Sequence, residues 1–370
     1  MPYQKRPNPI KNERHQTKNE QPEQFEHIEH IEHMDTKYTK ALVTGGAGFI
    51  GSHIVDALVA RRYKTYVVDN LSRGKKENLN PNAQFFKMDI TSPEFPKLIQ
   101  KLKPDVIFHV AAQIDVRKSV VAPITDAKIN IFATLALAEA AAAAGVKKII
   151  FSSSGGAMFS DDVRPPYSEE AREQPVSPYG ITKRAGELYL NFEQKNRGLS
   201  CVSLRYSNVY GPRQSSVGDA GVVAIFSEKM LAGLQAKING NGKQTRDYVY
   251  VGDVVRANLL AMNEKINGIF NIGTGRETSV NDLFGKLKKI IGYQLPEKHV
   301  PACSGEVMRS SLICKKAAKV LGWQPKVKLD DGLKKTVEWF RRATLTPHRR
   351  RAMVGAANPS PRGRGGKSLV

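Results

Sequence analysis

The chain has 370 residues, 41% hydrophobic and 25% charged, an ordinary balance for a soluble globular protein of one large or two moderate domains. Three cysteines (Cys201, Cys303, Cys314) are too few for a disulfide framework and no Cys/His spacing resembles a zinc site, so no metal is expected and a cytoplasmic location is the simplest. A formal charge of +22 is compatible with nucleic acid, an anionic membrane or a diphosphate ligand, and by itself selects none of them.

Residues 1–36 are rich in Pro, Asn, Gln, Glu and Lys and are expected to be a disordered extension. Their start is polar, without an apolar signal core, and Met34 offers an alternative first residue. His27, His30 and His33 recur at every third position, a spacing that drifts around a helix and reads as a solvated tail rather than a metal site.

At Lys40 the pattern changes. Ala41-Leu42-Val43 reads as a short buried strand, Thr44-Gly45-Gly46-Ala47-Gly48-Phe49-Ile50-Gly51 as a glycine turn, and the residues through Ala60 as an amphipathic helix. Strand, glycine turn and helix form the context of a dinucleotide-binding loop, in which backbone N–H groups approach a pyrophosphate at a helix N-terminus. The second strand, from Lys64 to Val68, ends at Asp69, where an acid would hold ribose hydroxyls and repel a 2′-phosphate. This favours NAD over NADP, with Arg73 nearby arguing the other way.

The alternation continues with strands at Phe85–Met88 (ending at Asp89), Val106–His109 and Lys147–Phe151, and helices at Glu94–Leu102 and Ala122–Ala144. Strands spaced by helices predict parallel βαβ units: a Rossmann-type, doubly wound α/β sheet. The apolar run Ile129–Val146 is mostly alanine and interrupted by Glu139, so a buried helix is expected and no membrane span. Active groups in such sheets gather beyond the carboxyl ends of the strands. His109-Val110-Ala111-Ala112-Gln113 and Ser152-Ser153-Ser154 fall there.

Ser177-Pro178-Tyr179-Gly180-Ile181-Thr182-Lys183 reads as a helix start, with Ser177 as cap and Pro178 in the first turn. Tyr179 and Lys183, at i and i+4, share one face. A free tyrosine titrates near pH ~10, and lowering it by about three units takes about 4 kcal/mol. One cation about 4 Å away at an effective dielectric of about 20 supplies that much. The pair can therefore accept a proton near neutral pH.

After a strand at Leu199–Leu204 the helical rhythm loosens. Residues 37–205 are expected to form the cofactor-binding domain and 206–342 mainly a smaller mixed α/β substrate lobe, later segments returning to the first. Gly332–Arg342 reads as a closing amphipathic helix with Trp339 and Phe340 in the core. Residues 343–370 hold Pro, Gly, Ser and Arg without periodicity, a disordered basic tail.

Four motifs together resemble the extended short-chain dehydrogenase/reductase family, and within it the nucleotide-sugar epimerases of the UDP-glucose 4-epimerase group. They are Thr44–Gly51, Tyr179-x-x-x-Lys183, Leu204-Arg205-Tyr206-Ser207-Asn208-Val209-Tyr210-Gly211-Pro212-Arg213, and Arg246-Asp247-Tyr248-Val249-Tyr250-Val251-Gly252-Asp253-Val254. The likeness covers roughly 37–342. It implies retained NAD, held by Gly45, Gly48, Phe49, Ile50 and Gly51 at the turn, Asp69, Asn70, Asp89 and Ile90 after the next strands, and Ala111, Ala112, Gln113 and Lys183 nearer the nicotinamide. It implies Tyr179 as the base at a sugar 4-hydroxyl, Lys183 as its electrostatic partner, and Ser154 or Ser153 sharing the proton. Asn208, Arg246 and Arg309 would contact a UDP-sugar, and a homodimer through two helices per subunit is expected, with no specific nucleic acid.

The chain departs from the family at Phe159-Ser160, where Tyr-Gly is usual, and at Cys314, where an acid is common. Ser311 lies where a large side chain can restrict the sugar 2-substituent, so N-acetyl sugars are admitted. The resulting expectation is C4 epimerisation of UDP-glucose and UDP-galactose, with their N-acetyl forms as further candidates. One alternative is a related enzyme acting on UDP-glucuronate, by epimerisation or decarboxylation. Another is a dehydratase, although Gly155-Gly156 stand where dehydratases carry an Asp-Glu pair. From a different class comes a non-catalytic nucleotide-sugar or nucleic-acid binder.

Overall fold

The computed structural model describes residues 37–217, 221–302 and 307–344. The two tails, with His27, His30 and His33, lie outside the described residues.

The first part of the chain alternates strand and helix: β1 (Lys40–Thr44), α1 (Phe49–Ala60), β2 (Lys64–Asp69), β3 (Gln84–Lys87), α2 (Glu94–Leu102) and β4 (Val106–His109). Two short helices, α3 (Val116–Val121) and α4 (Pro123–Ala127), lead through a π-helical turn (Lys128–Phe132) into α5 (Ala133–Ala144). Then come β5 (Lys148–Ser154), α6 (Pro178–Arg197) and β6 (Ser200–Tyr206). The second part holds β7 (Asn208–Tyr210), α7 (Val222–Leu231), β8 (Lys237–Asn239), β9 (Thr245–Tyr250), α8 (Val251–Leu260) and β10 (Gly268–Ile272). It ends with β11 (Glu277–Ser279), α9 (Val280–Ile291), β12 (Lys298–Val300), β13 (Arg309–Ser310) and α10 (Leu329–Thr344).

The large sheet has seven strands in the order β10-β6-β5-β4-β1-β2-β3. Every pairing in it is parallel. Because both faces are covered, its central strands read as continuous apolar runs. Alternate residues of β1 serve opposite layers: Val43 packs with Ile54, Val55 and Leu58 of α1, and Leu42 with Ile99 of α2 and Leu137 and Ala138 of α5. From β1 the chain proceeds outward to β2 and β3 on one side and to β4, β5 and β6 on the other. The order thus reverses between β1 and β4, and a crevice opens beyond their carboxyl ends. Strand β10 pairs with β6 as the seventh strand, so this late segment belongs to the large layer.

The long apolar helix is interrupted rather than continuous. By length and composition Pro123–Ala144 is the one stretch among the described residues that could cross a membrane. Its α5 portion buries Ala133, Leu137, Ala138 and Ala141 in the core beside α2, as a core helix does. Strand β5 runs three residues past Phe151, because Ser152, Ser153 and Ser154 pair with Leu204, Arg205 and Tyr206 of β6.

In the smaller lobe β9 pairs antiparallel with β11 and parallel with both β13 and β7. Its core gathers Tyr210, Phe226, Tyr248, Phe284 and, from α10, Leu333 and Val337. Phe340 is buried as expected, whereas Trp339 is half-buried and meets Phe340 edge-on at the rim.

Candidate functional site

At the mouth of the crevice the glycine turn is shaped by backbone contacts that exclude side chains. Gly45 has φ +69°, and a Cβ there would lie 2.8 Å from the Ala111 nitrogen. A Cβ on Gly51 would stand 2.2 Å from the Gly45 carbonyl oxygen. Helix α1 starts after Gly48 with no side-chain cap, so its first N–H groups are open to an anion. Phe49 and Ile50 pack their side chains against the core of the smaller lobe.

Asp69, at the end of β2, is buried and braces the turn, accepting from Ala47 N at 3.1 Å and Leu71 N at 2.7 Å. Arg73 is drawn aside into an ion pair with Asp115 at 3.2 Å, which removes the cation that spoke for a 2′-phosphate. The Asn70 amide donates to Asp89 at 2.7 Å. Partial burial pushes the Asp89 carboxyl up, but bonds from the Thr91 hydroxyl and amide and from Asn70 outweigh it and hold it below its ordinary range. Ile90 is buried beside them. These residues fit NAD: a turn whose Gly45 and Gly51 leave no room for a Cβ, an uncapped helix start, and an acid at the end of the next strand.

The β4 end is tied to the same turn. Ala111 N donates to both the carbonyl and the hydroxyl oxygen of Thr44, at 3.1 and 3.2 Å. Buried His109 bridges Thr44 (2.9 Å) and Thr134 (3.0 Å). Since the Thr134 hydroxyl donates to Asn130 O, His109 carries its proton on Nε2 and accepts from Thr44 at Nδ1. Burial, then the Lys183 charge, pushes this imidazole down to about 3. Ala112 is half-buried, and the Gln113 side chain turns inward, donating to Asp126 at 2.8 Å and to Asp115 O at 2.9 Å.

Ser177 caps α6, its hydroxyl accepting from Gly180 N at 3.2 Å, and Pro178 takes the first turn. Tyr179 is half-buried and Lys183 buried one turn later. The Lys183 nitrogen lies 6.0 Å from the Tyr179 ring centroid and 4.8 Å from that of Phe151, and donates to Ser152 O at 2.8 Å. Burial pushes the ammonium down to about 8 against the opposing pull of Asp126 and Glu187.

The serines diverge. Ser153 donates to Glu187 at 2.7 Å, and Glu187 is gripped by buried Arg205 at 2.6 and 2.8 Å. Ser154 is half-buried and accepts from Ala157 N at 3.2 Å. Local sequence pattern does not announce His109's bridge, the Glu187–Arg205 pair or Asp126. For the last the faint signal is an acid and an amide at 126 and 130 on one helical face.

On the facing lobe, β9 gathers the three polar residues expected to meet substrate. Thr245 and Arg246 pair with Arg309 and Ser310, and Tyr248 pairs with Asn208. Asn208 is exposed and Arg246 half-buried. Arg309 binds Glu277 in bidentate fashion, at 2.8 and 2.9 Å, and with Thr245 and Ser311 it brings the Glu277 carboxyl to about 2 despite some burial. Ser311 is buried and also donates to Glu277, at 3.3 Å. Cys314 faces Gly273, whose N–H it accepts at 3.1 Å, and burial pushes its thiol up. Phe159 is a buried ring stacked on Tyr167, centroids 4.0 Å apart.

The sequence model of the NAD dependent epimerase/dehydratase family matches residues 41–273. The UDP-glucose 4-epimerase of Mycolicibacterium smegmatis is 46% identical over 309 residues, covering 82% of this chain and 98% of that protein. Among solved structures, the Thermotoga maritima UDP-glucose 4-epimerase with UDP-glucose superposes with a TM-score of 0.81 at 52% identity, covering 82% of this chain and 99% of the other. The Thermus thermophilus UDP-glucose 4-epimerase, in complex with NAD, gives 0.77 at 40% identity, covering 82% and 99%.

Proposed function

The chain belongs to the NAD-dependent epimerase/dehydratase family, and from that membership we propose that it interconverts UDP-glucose and UDP-galactose by epimerisation at C4, with the N-acetyl sugars as further substrates. The observation that carries the reading is the Tyr179–Lys183 pair, one helical turn apart on α6, with Lys183 donating to the Ser152 carbonyl near the carboxyl end of β5.

NAD, when bound, would supply hydride-accepting and hydride-donating chemistry at the sugar carbon. The protein's own part is binding and proton movement. The open N–H groups at the start of α1 receive the pyrophosphate, and Asp69 receives a ribose. Tyr179 takes the 4-hydroxyl proton while the Lys183 ammonium favours its phenolate. Ser154, whose hydroxyl is not spent on Glu187, lends a hydrogen bond to the same oxygen. Arg246 and Arg309 hold the diphosphate, Arg309 exchanging Glu277 for phosphate oxygens, and Asn208 completes the sugar side. Gly155 and Gly156, unable to transfer a proton, disfavour dehydration.

The active form is a homodimer. On neighbouring α4, α5 and α6, Ile124 is 72% exposed, Phe132 at the preceding turn 64% and Phe192 52%, an apolar face that a second copy covers. The cytoplasm is the compartment that suits Cys201 and Cys314, the free cysteines among the described residues.

The test is incubation of purified protein with a panel of UDP-sugars, without added NAD, and separation of the products. UDP-galactose is expected to form from UDP-glucose, and Tyr179→Phe to abolish this while keeping NAD bound. No C4 epimer from any sugar, or a variant as active as the parent, overturns the reading.

A further inference from the structure

One buried carboxylate joins three elements around the proton-transfer pair. Asp126 of α4 is fully buried; its Oδ1 accepts from Gln113 (2.8 Å) and Asn130 (3.2 Å), and its Oδ2 from the Thr182 hydroxyl (2.7 Å). Asn130, in the π-helical turn, also exchanges two 2.9 Å bonds with the Gln113 backbone. Such turns recur where a side chain must be re-aimed at a functional site. All three donors to Asp126 are neutral. Hydrogen bonds satisfy its lone pairs, but a buried anion still requires a positive charge nearby.

The cation is one residue from Thr182. The titratable and charged groups facing Lys183 are Asp126 from α4, Glu187 and Tyr179 from α6, and His109 from β4. His109 is neutral. Glu187 is already compensated by Arg205 at 2.6 Å and Arg184 at 3.1 Å. Among these described residues, Asp126 alone brings an uncompensated negative charge to the buried ammonium.

We propose that Asp126 is a positioning residue whose charge keeps Lys183 protonated, and whose bonds hold the Lys183 turn of α6 to the Ala111–Gln113 strand end beside the cofactor. The inference rests on the reading of Tyr179 and Lys183 as the proton-transfer pair. Without the Asp126 charge, burial drives the ammonium further down and the phenolate loses its partner near neutral pH.

The test titrates the full-length NAD-bound protein by NMR with carbon-13 at the lysine Cε, the Lys183 signal being the one absent from Lys183→Met. In Asp126→Asn the Lys183 midpoint is expected to fall by about one pH unit or more, the scale of a nearby opposite charge. Asp126→Ser, which is neutral and smaller, serves as the second arm if Asp126→Asn does not fold, with the same fall expected. An unchanged Lys183 midpoint in whichever neutral variant folds overturns the proposal. Neither titration needs sugar turnover, so failure of the epimerase assay and failure of this coupling are told apart.

Discussion

The Ser153 hydroxyl donates to the Glu187 carboxylate at 2.7 Å, which commits it to the Arg205 network beneath α6, while the hydroxyl of its neighbour Ser154 stays outside that network. Successive side chains of a strand point to opposite faces, so adjacent serines have different surroundings. Ser154→Ala is expected to lower kcat about 10²-fold, the usual effect of losing a hydrogen bond to a reacting oxygen, with unchanged melting. Ser153→Ala should keep most of kcat but lose about 1 kcal/mol of stability, since Glu187 forfeits a buried donor. Steady-state kinetics beside urea denaturation separate the two, and the reverse pattern would exchange their roles.

Burial of the Lys183 ammonium opposes folding. Its folded-state value of about 8 lies below its ordinary 10.5, so the charged form is disfavoured by folding. The penalty is full below pH 8, shrinks between 8 and 10.5, and vanishes above, where the amine is neutral in both states. The stability of Lys183→Met relative to the NAD-free parent is therefore expected to be about 2–3 kcal/mol higher at pH 7 than at pH 10, whatever constant amount is lost with the Asp126 partner. Denaturation at pH 7 and at pH 10 checks this: a gain of equal size at both would mean that packing, not charge, is responsible.

Two buried imidazoles are expected to make the fold sensitive to acid. Burial pushes His53 and His109 from 6.5 to about 3, with Arg213 adding to the effect on His53 and Lys183 to that on His109. Between these values the unfolded chain binds protons that the folded one refuses, so stability falls as pH drops from 6.5 toward 3. At pH 5 each histidine costs about 2 kcal/mol. Urea midpoints from pH 7.5 to 4 measure the slope, which His109→Gln should roughly halve where histidines dominate; an undiminished slope would assign acid sensitivity to other groups.

Gly51 tests the cofactor cradle. Its Cβ would meet the Gly45 carbonyl at 2.2 Å, backbone against backbone, so the turn must shift to admit a methyl. Gly51→Ala should cost about 1–3 kcal/mol, the range for overpacked sites. It should also strip NAD from the purified protein, as quantified in the supernatant after denaturation. Full NAD content in this variant would place the pyrophosphate elsewhere.

The apolar face on α5 and α6 predicts the assembly. Phe132→Asp combined with Phe192→Asp should convert a dimer to monomers in sedimentation velocity, because two charges cannot be covered by apolar partners. A variant that sediments like the parent would show that the copies meet through another surface.

Much of the architecture was legible in local pattern. Short apolar runs at Ala41–Val43 and Val106–His109, each followed by a helix-period segment, announce a parallel sheet because burial on both faces leaves no polar alternation. The glycine turn, Asp69 and the i,i+4 spacing of Tyr179 and Lys183 are likewise set by neighbours close in sequence, where backbone geometry alone decides what can meet.

What only the tertiary structure decided are relationships between distant residues. Arg73 was drawn off by Asp115, 42 positions away, and Ser153 by Glu187 on another element. Arg309 reached Glu277 through β13 pairing beside β9. Asp126 lay unnoticed in an apolar helix until Gln113 and Thr182 closed around it. Pattern along a chain reports which face a residue presents; which charge or hydroxyl waits across that face depends on how the strands are ordered and the helices packed, and that is information no single segment carries.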